Sequence, residues 1–273
     1  LDRVRGRGVE IAAISPEAPS AIAAFVSAHG IRYPVLADTE SSVVRSYGIL
    51  NPNTRPHGAG VPFPGEFLLD ARGVVVAKSF SGDLRLRASG TMLVDERLGP
   101  YGPPAATAST EDLDVALYLS TTALAPGQEA SVYVDLAIAP GMHVYGPGVM
   151  APYVGVEVRF EPDGHDVLRE QRFEYPPVTR SMDFAALGEA LPVYENRFRV
   201  TGRVRLRWSP PFTRFTPAAV HATVRRLAMP PGPRLVPAEV RYQACTAIDC
   251  RAPSTVKLDV PLTVLATPPP IGE

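Results

Sequence analysis

From residue 113 onward, apolar and polar residues alternate with a period of two. Val132, Val134, Leu136 and Ile138 alternate with Tyr133, Asp135 and Ala137. Val154, Val156, Val158 and Phe160 alternate with Gly155, Glu157 and Arg159. Phe198, Val200, Val204, Leu206 and Trp208 alternate with Arg197, Arg199, Arg203, Arg205 and Arg207. A strand turns successive side chains to opposite faces, so each run predicts a strand with one buried face. The arginines fall opposite the apolar side, which predicts a solvated sheet face rather than an anion site. Several such strands, with Pro and Gly between them, predict an all-β sandwich.

The first hundred residues carry a different pattern. Residues 9–14 are an apolar run ending at Ser15-Pro16, which predicts a strand and then a helix with proline at its first position. Ile22, Phe25 and Val26 mark one face of that helix, and Gly30 stops it. Residues 33–36 predict a second strand, and Asp38 can cap a second helix that ends at Gly48. Residues 67–69 and 74–77 flank the turn Asp70-Ala71-Arg72-Gly73 and predict a hairpin. Residues 84–98 predict a closing helix, weakened by Gly90. This order is an α/β layer arrangement. Residues 100–112 are rich in Pro, Gly and Ala and predict a semi-rigid linker. The expected organisation is an α/β domain at 1–99, a linker at 100–112, a sandwich at 113–266 and a tail at 267–273.

Both cysteines lie in Tyr242-Gln243-Ala244-Cys245-Thr246-Ala247-Ile248-Asp249-Cys250-Arg251-Ala252-Pro253. A strand precedes this stretch, and another follows it, with Val256, Leu258, Val260, Leu262 and Val264 on one face. Residues at the two ends of a hairpin loop lie about 4.5–5.5 Å apart between Cα atoms. A disulfide needs roughly 4.4–6.8 Å. The spacing therefore permits a Cys245–Cys250 disulfide at a strand end. Three readings of the pair compete: a structural staple, a metal site and a redox-active dithiol. A staple here would close a short loop, which gives little entropic stabilisation. Structural zinc sites want four ligands, and no second cysteine pair follows.

The chain has 273 residues and a formal net charge of −1. That length suits two domains, and that charge gives no reason to expect nucleic acid or an anionic membrane surface. The 30 prolines favour turns and short strands. No apolar run approaches the ~18 residues of a membrane-spanning helix. The first residues read as the end of a charged helix, so the chain is expected to begin inside a domain.

The first domain resembles the peroxiredoxin, or AhpC/TSA, branch of the thioredoxin-like superfamily. The resemblance rests on residues 9–16, on Tyr33-Pro34-Val35-Leu36-Ala37-Asp38, on Ser46-Tyr47-Gly48-Ile49 and on residues 61–70. It implies a cis bond before Pro64, facing an active-site sulfur. The family's reactive cysteine has no counterpart here, and His57 is a lone loop histidine. The expectation is therefore an N-terminally incomplete thioredoxin-like domain.

The second domain resembles the N-terminal domain of the DsbD family, also called the disulfide bond corrector domain. The match rests on Gly141-Met142-His143-Val144-Tyr145, on residues 191–198 and above all on Tyr-Gln-x-Cys with Cys-x-x-Pro around Cys245 and Cys250. It implies an immunoglobulin-like sandwich with a catalytic dithiol, Cys245 and Cys250, supported by Tyr242 and Tyr145. It implies a cap loop at residues 180–185 with Phe184 as lid, and it makes His143 and Asp183 candidate proton handlers. It implies electron relay outside the cytoplasm, in the periplasm, with thioredoxin-like partners and a membrane-embedded donor. No cofactor, metal, nucleic-acid partner or direct membrane insertion is expected. Two rivals stand beside this reading: a non-catalytic binding module with a structural disulfide, and a thiol peroxidase whose cysteine lies upstream of Leu1.

Overall fold

A computed structural model describes residues 1–52, 61–80, 87–88, 91–161, 167–184, 189–207 and 229–266, without the side chains of 87, 88, 169, 170, 182–184 and 189. His57 and Trp208 lie outside the described residues. The chain divides into two compact units, Leu1–Leu84 and Arg85–Glu273.

The first unit contains α1 (Asp2–Arg5), β1 (Ala13–Ser15), α2 (Pro19–His29), β2 (Val35–Ala37), α3 (Ser42–Ser46), β3 (Gly65–Leu69) and β4 (Val75–Phe80). β1 pairs in parallel with β2, and β3 pairs antiparallel with β4. The first long helix begins at Pro19 rather than Pro16. In a helix begun at Pro16, residue 19 would have to donate to the Ser15 carbonyl, and proline has no N–H to give. Asp38 caps α3 as its position suggests. Its carboxylate accepts from the Ser42, Val43 and Val44 amides at 2.9, 3.2 and 3.0 Å. These bonds satisfy helix-start donors that have no partner within the helix. Val4, Ile22 and Val44 are buried, whereas Ile14, Leu36, Leu69 and residues 74–76 are exposed.

The Phe63–Pro64 bond is trans; the cis X-Pro bond of the described residues is Ala151–Pro152. This corrects the expectation at Pro64. Residues 61–63 run extended instead. Asn51 donates to Val61 O at 3.0 Å, Phe63 donates to Ile49 O at 2.7 Å, and Leu50 bridges Pro62.

The second unit opens with β5 (Arg87–Ala88) and α4 (Met92–Leu98). The strands that follow are β6 (Ala106–Ser109), β7 (Leu113–Leu119), β8 (Ala123–Leu124), β9 (Gln128–Ile138) and β10 (His143–Tyr145). Next come β11 (Glu157–Phe160), β12 (Leu168–Glu174), β13 (Arg180–Phe184), β14 (Glu189–Glu195) and β15 (Arg197–Leu206). The last strands among the described residues are β16 (Gly232–Tyr242), β17 (Ala244–Cys245) and β18 (Ser254–Val264). One sheet runs β12-β15-β9-β7-β6, with β5 beside β9; a second runs β11-β16-β18-β8; a third runs β13-β14-β10-β17.

Two expectations near the domain boundary change. The helix expected to close the first domain lies in the second unit, where Thr91 Oγ1 donates to Ser120 O at 2.6 Å and Ser131 Oγ donates to Glu96 at 3.3 Å. The expected linker contains a strand, since β6 pairs with β7 from Ala106↔Leu117 to Ser109↔Asp114.

The alternating runs behave as their period requires. Val132, Val134, Leu136, Val200, Val204 and Leu206 enter one hydrophobic cluster with Val158, Val236, Val240, Val256, Leu258 and Val260. The first and second sheets thus share a core. The arginines of β15 lie on the other side, where Arg199 pairs with Asp135 at 2.7 Å and Arg203 with Glu96 at 2.9 Å. That face is therefore laced with ion pairs as well as solvated.

Candidate functional site

β16 and β18 form an eleven-residue strand pair whose register runs from Gly232↔Val264 to Tyr242↔Ser254. Beyond its end the same two chains close again around the cysteines. Arg251 N donates to Ala244 O at 2.9 Å, and Thr246 N donates to Asp249 O at 2.8 Å. Cys245 and Cys250 face each other between those two bonds, at a position where opposed residues exchange none of their own. Antiparallel chains approach most closely at such positions. The Cα atoms are 4.0 Å apart and the sulfurs are bonded. The turn fastens itself: Thr246 Oγ1 accepts from Asp249 N at 3.1 Å, and Asp249 Oδ1 accepts from Cys250 N at 2.9 Å.

The third sheet carries the surroundings. β10 lies between β14 and β17, so His143 has Glu195 opposite it on one side and Cys245 on the other. Side chains at directly opposed positions point to the same face. Glu195, His143, Cys245 and Cys250 therefore form one row across the sheet. Tyr145, two residues along β10, points to that same face. Its hydroxyl lies 3.4 Å from Cys250 Sγ, and because a disulfide sulfur carries no hydrogen, the phenol is the donor. Burial, with Tyr153 nearby, holds the Tyr145 pKa above its ordinary value, so the donor stays neutral.

The two sulfurs have different environments. Cys245 is 0% exposed and packs with Tyr145, Leu191 and Val193. Cys250 is exposed, in a turn whose Ile248 is 95% exposed. Of the two cysteines, Cys250 is the one that meets solvent.

A polar cluster anchors the strand that leaves Cys250. Arg251 Nη1 lies 2.6 Å from Asp112 Oδ1 and 3.0 Å from Glu111 Oε2. The Tyr242 hydroxyl donates to Asp112 Oδ2 at 3.2 Å and lies 3.1 Å from Thr110 Oγ1. Tyr242, expected beside the dithiol, thus aims its hydroxyl at this cluster, and burial raises its pKa. Asp112 and Glu195 escaped sequence reasoning. Asp112 falls in the expected linker, and only strand register brings Glu195 to His143.

Of the residues singled out from the sequence, the structure brings Cys245, Cys250, His143 and Tyr145 into one site. His143 is buried, with its ring 5.9 Å from that of Tyr145. The backbone of the expected cap forms β13, paired with β14, while the side chains of Asp183 and Phe184 lie outside the described residues. Pro64 belongs to the first unit. Among the described residues, no three His, Cys, Asp or Glu side chains gather as a metal site requires. No helix among them is long and apolar enough to cross a membrane.

With this geometry in view, similarities to known proteins can be placed. Residues 1–78 match the AhpC/TSA family. The match falls within the first unit, whereas both cysteines of the chain lie in the second. No curated protein matches the chain. Among solved structures, the N-terminal periplasmic domain of ScsB from Proteus mirabilis is similar at 10% identity and a TM-score of 0.36, covering 57% of this chain and 51% of that one. The chain therefore spans about half the length of that structure. AggA, the major subunit of aggregative adherence fimbriae type I from Escherichia coli, is similar at 10% identity and a TM-score of 0.27, over 57% of this chain and 98% of that one. At these scores neither likeness decides fold or function.

Proposed function

We propose that the protein exchanges disulfides through Cys245–Cys250 and relays electrons to or from thioredoxin-like partners outside the cytoplasm, in a periplasm-like compartment. The reading takes the second unit as an immunoglobulin-like sandwich of the DsbD N-terminal type, fed by a membrane-embedded donor. One observation carries it: the disulfide joins a fully buried cysteine to an exposed one whose sulfur accepts a phenol hydrogen bond. Exchange proceeds by attack of a thiolate on one sulfur while the other leaves. Here Cys250 is the sulfur open to attack, and Cys245 is the leaving group. In the reduced protein Cys250 is the exposed nucleophile, and Cys245 resolves the adduct. The Tyr145 hydroxyl is placed to stabilise a Cys250 thiolate.

The test is a mixed-disulfide trap with a thioredoxin-like protein that lacks its resolving cysteine and whose remaining cysteine is activated as its thionitrobenzoate mixed disulfide, so that the attacking thiolate displaces thionitrobenzoate. Cys245→Ser should give a covalent adduct through Cys250, and Cys250→Ser should give none. A potential below about −300 mV, the range of structural disulfides, together with no adduct from either variant, would reduce the pair to a staple and the unit to a binding module.

A further inference from the structure

The row across the third sheet contains a group that the exchange reading leaves idle. His143 is 3% exposed, and its Nε2 is buried without a hydrogen-bond partner among the described residues. A buried polar atom left unpaired is costly and calls for an explanation. The register sets its Cβ about 4.5–5.5 Å from that of Cys245, the sulfur that is out of reach of solvent. A cleft of about 220 Å³ reaches His143 between Arg180, Glu195 and Ala247, and Ala247 belongs to the turn that joins the two cysteines.

We propose that His143 is the proton donor and acceptor for Cys245. This rests on the exchange reading and adds its proton chemistry. In the reducing direction, a partner thiolate attacks Cys250 Sγ. A bond forms between the partner sulfur and Cys250, and the Cys245–Cys250 bond breaks. Cys245 leaves with the electron pair, and the His143 imidazolium gives that thiolate its proton. The partner's second thiolate then displaces Cys250, so the partner is oxidised by two electrons and the dithiol is formed. In reverse, neutral His143 takes the Cys245 proton, and the resulting thiolate resolves the mixed disulfide. Without such a group, a thiolate would form at a fully buried cysteine, where an uncompensated charge is costly.

The groups facing His143 are Glu195 on β14, Arg180 on β13, Cys245 on β17 and Tyr145 on its own strand. Arg180 and Glu195 are paired at 3.1 Å, so they partly cancel at the imidazole. Burial is the largest influence and lowers the His143 pKa; Glu195 raises it and Arg180 lowers it further. The imidazole therefore titrates below its ordinary value of 6.5.

The experiment follows reduction of the whole protein by dithiothreitol from pH 4.5 to 8, with acid quenching and thiol alkylation counted by mass. Divided by the dithiothreitol thiolate concentration, the rate should be level at low pH and fall as pH rises through the His143 pKa. An NMR titration of the His143 ring fixes that pKa independently. His143→Gln should flatten the profile and lower the rate at pH 5 about 100-fold, the lower part of the range for general acid catalysis. Glu195→Gln, which keeps the imidazole, should move the inflection to lower pH, and it carries the test if His143→Gln fails to fold. A flat wild-type profile, or an inflection unchanged in His143→Gln or Glu195→Gln, overturns the proposal. If the inflection is present but no adduct forms with a thioredoxin-like protein, the proton role stands and the relay reading falls.

Discussion

Tyr145→Phe removes the hydroxyl that donates to Cys250 Sγ. The hydroxyl lies 3.4 Å from Cys250 Sγ, and the side chain is 0% exposed. In the disulfide form the bond is weak, because a neutral sulfur is a poor acceptor. On reduction the same hydroxyl faces a thiolate, and hydrogen bonds to charged groups contribute about 1.5–3 kcal/mol. Sulfur accepts less well than oxygen, so the low end of that range applies. At 1.36 kcal/mol per pKa unit, the Cys250 thiol pKa should rise by about one unit in the variant. The reduced form loses the stabilisation, so the disulfide becomes harder to reduce. The potential should fall by about 30 mV for each 1.4 kcal/mol. That shift is fully present at pH values above the thiol pKa and fades below it, where both proteins carry the neutral thiol. The assays are the pH dependence of iodoacetamide alkylation and redox titration against dithiothreitol at several pH values. Unfolding by urea serves as the control, since the phenyl ring keeps the packing. An unchanged alkylation profile, or a lower thiol pKa in the variant, would refute the role given to Tyr145.

Three further outcomes are expected. Arg251→Ala leaves the Asp112 carboxylate, whose side chain is 8% exposed, without its cation. Breaking a fully buried pair costs about 3–5 kcal/mol; Arg251 is half-exposed, so about 1–2 kcal/mol is expected as a lower urea midpoint, and Asp112→Asn in the same background should recover part of it. Gly155→Ala would place a Cβ 2.3 Å from the Gly146 carbonyl oxygen, which is backbone and must shift; thermal and urea unfolding should both show a loss above about 2 kcal/mol. Backbone bonds hold the Asp38 pKa below its ordinary value. Its stabilisation is therefore present above the unfolded value of 3.8 and is lost as pH falls through the lower folded value. Amide exchange at Val43 and Val44 should quicken over that acid range in the native protein, and Asp38→Asn should remove the dependence.

The strands of the second unit were legible because alternation with a period of two reports a half-buried sheet directly, as β9, β15 and β18 show. The cysteine hairpin was legible too, since strand, short turn and strand leave two cysteines opposed. Local chemistry also marked the Asp38 cap and the turn at Asp70, where Gly73 donates to Asp70 O at 2.9 Å. What escaped depends on pairing between distant segments. Nothing local distinguishes β6 from a linker, because its small residues gain their place only from pairing with β7. Glu195 becomes part of the site through register alone, and Asp112 through an arginine that lies far along the chain. The burial of Cys245 against the exposure of Cys250 is likewise invisible in a symmetric pair of letters. At Pro64 the family resemblance implied a cis bond, but the Phe63–Pro64 bond is trans, and backbone bonds with Ile49 and Asn51 hold residues 61–63 extended.

The eleven-residue pairing of β16 with β18 limits how much of the fold depends on the disulfide. The disulfide spans a sequence separation of only five residues and lies just beyond the end of that ladder. A loop so short restricts the denatured chain by only about 2 kcal/mol. The two strands stay in register through their own hydrogen bonds and their share of the core, whether or not the sulfurs are joined. Opening the bond frees a turn and leaves the fold intact. Oxidation state and folding are therefore only weakly coupled, and under the proposed exchange the fold would outlast each opening of the bond.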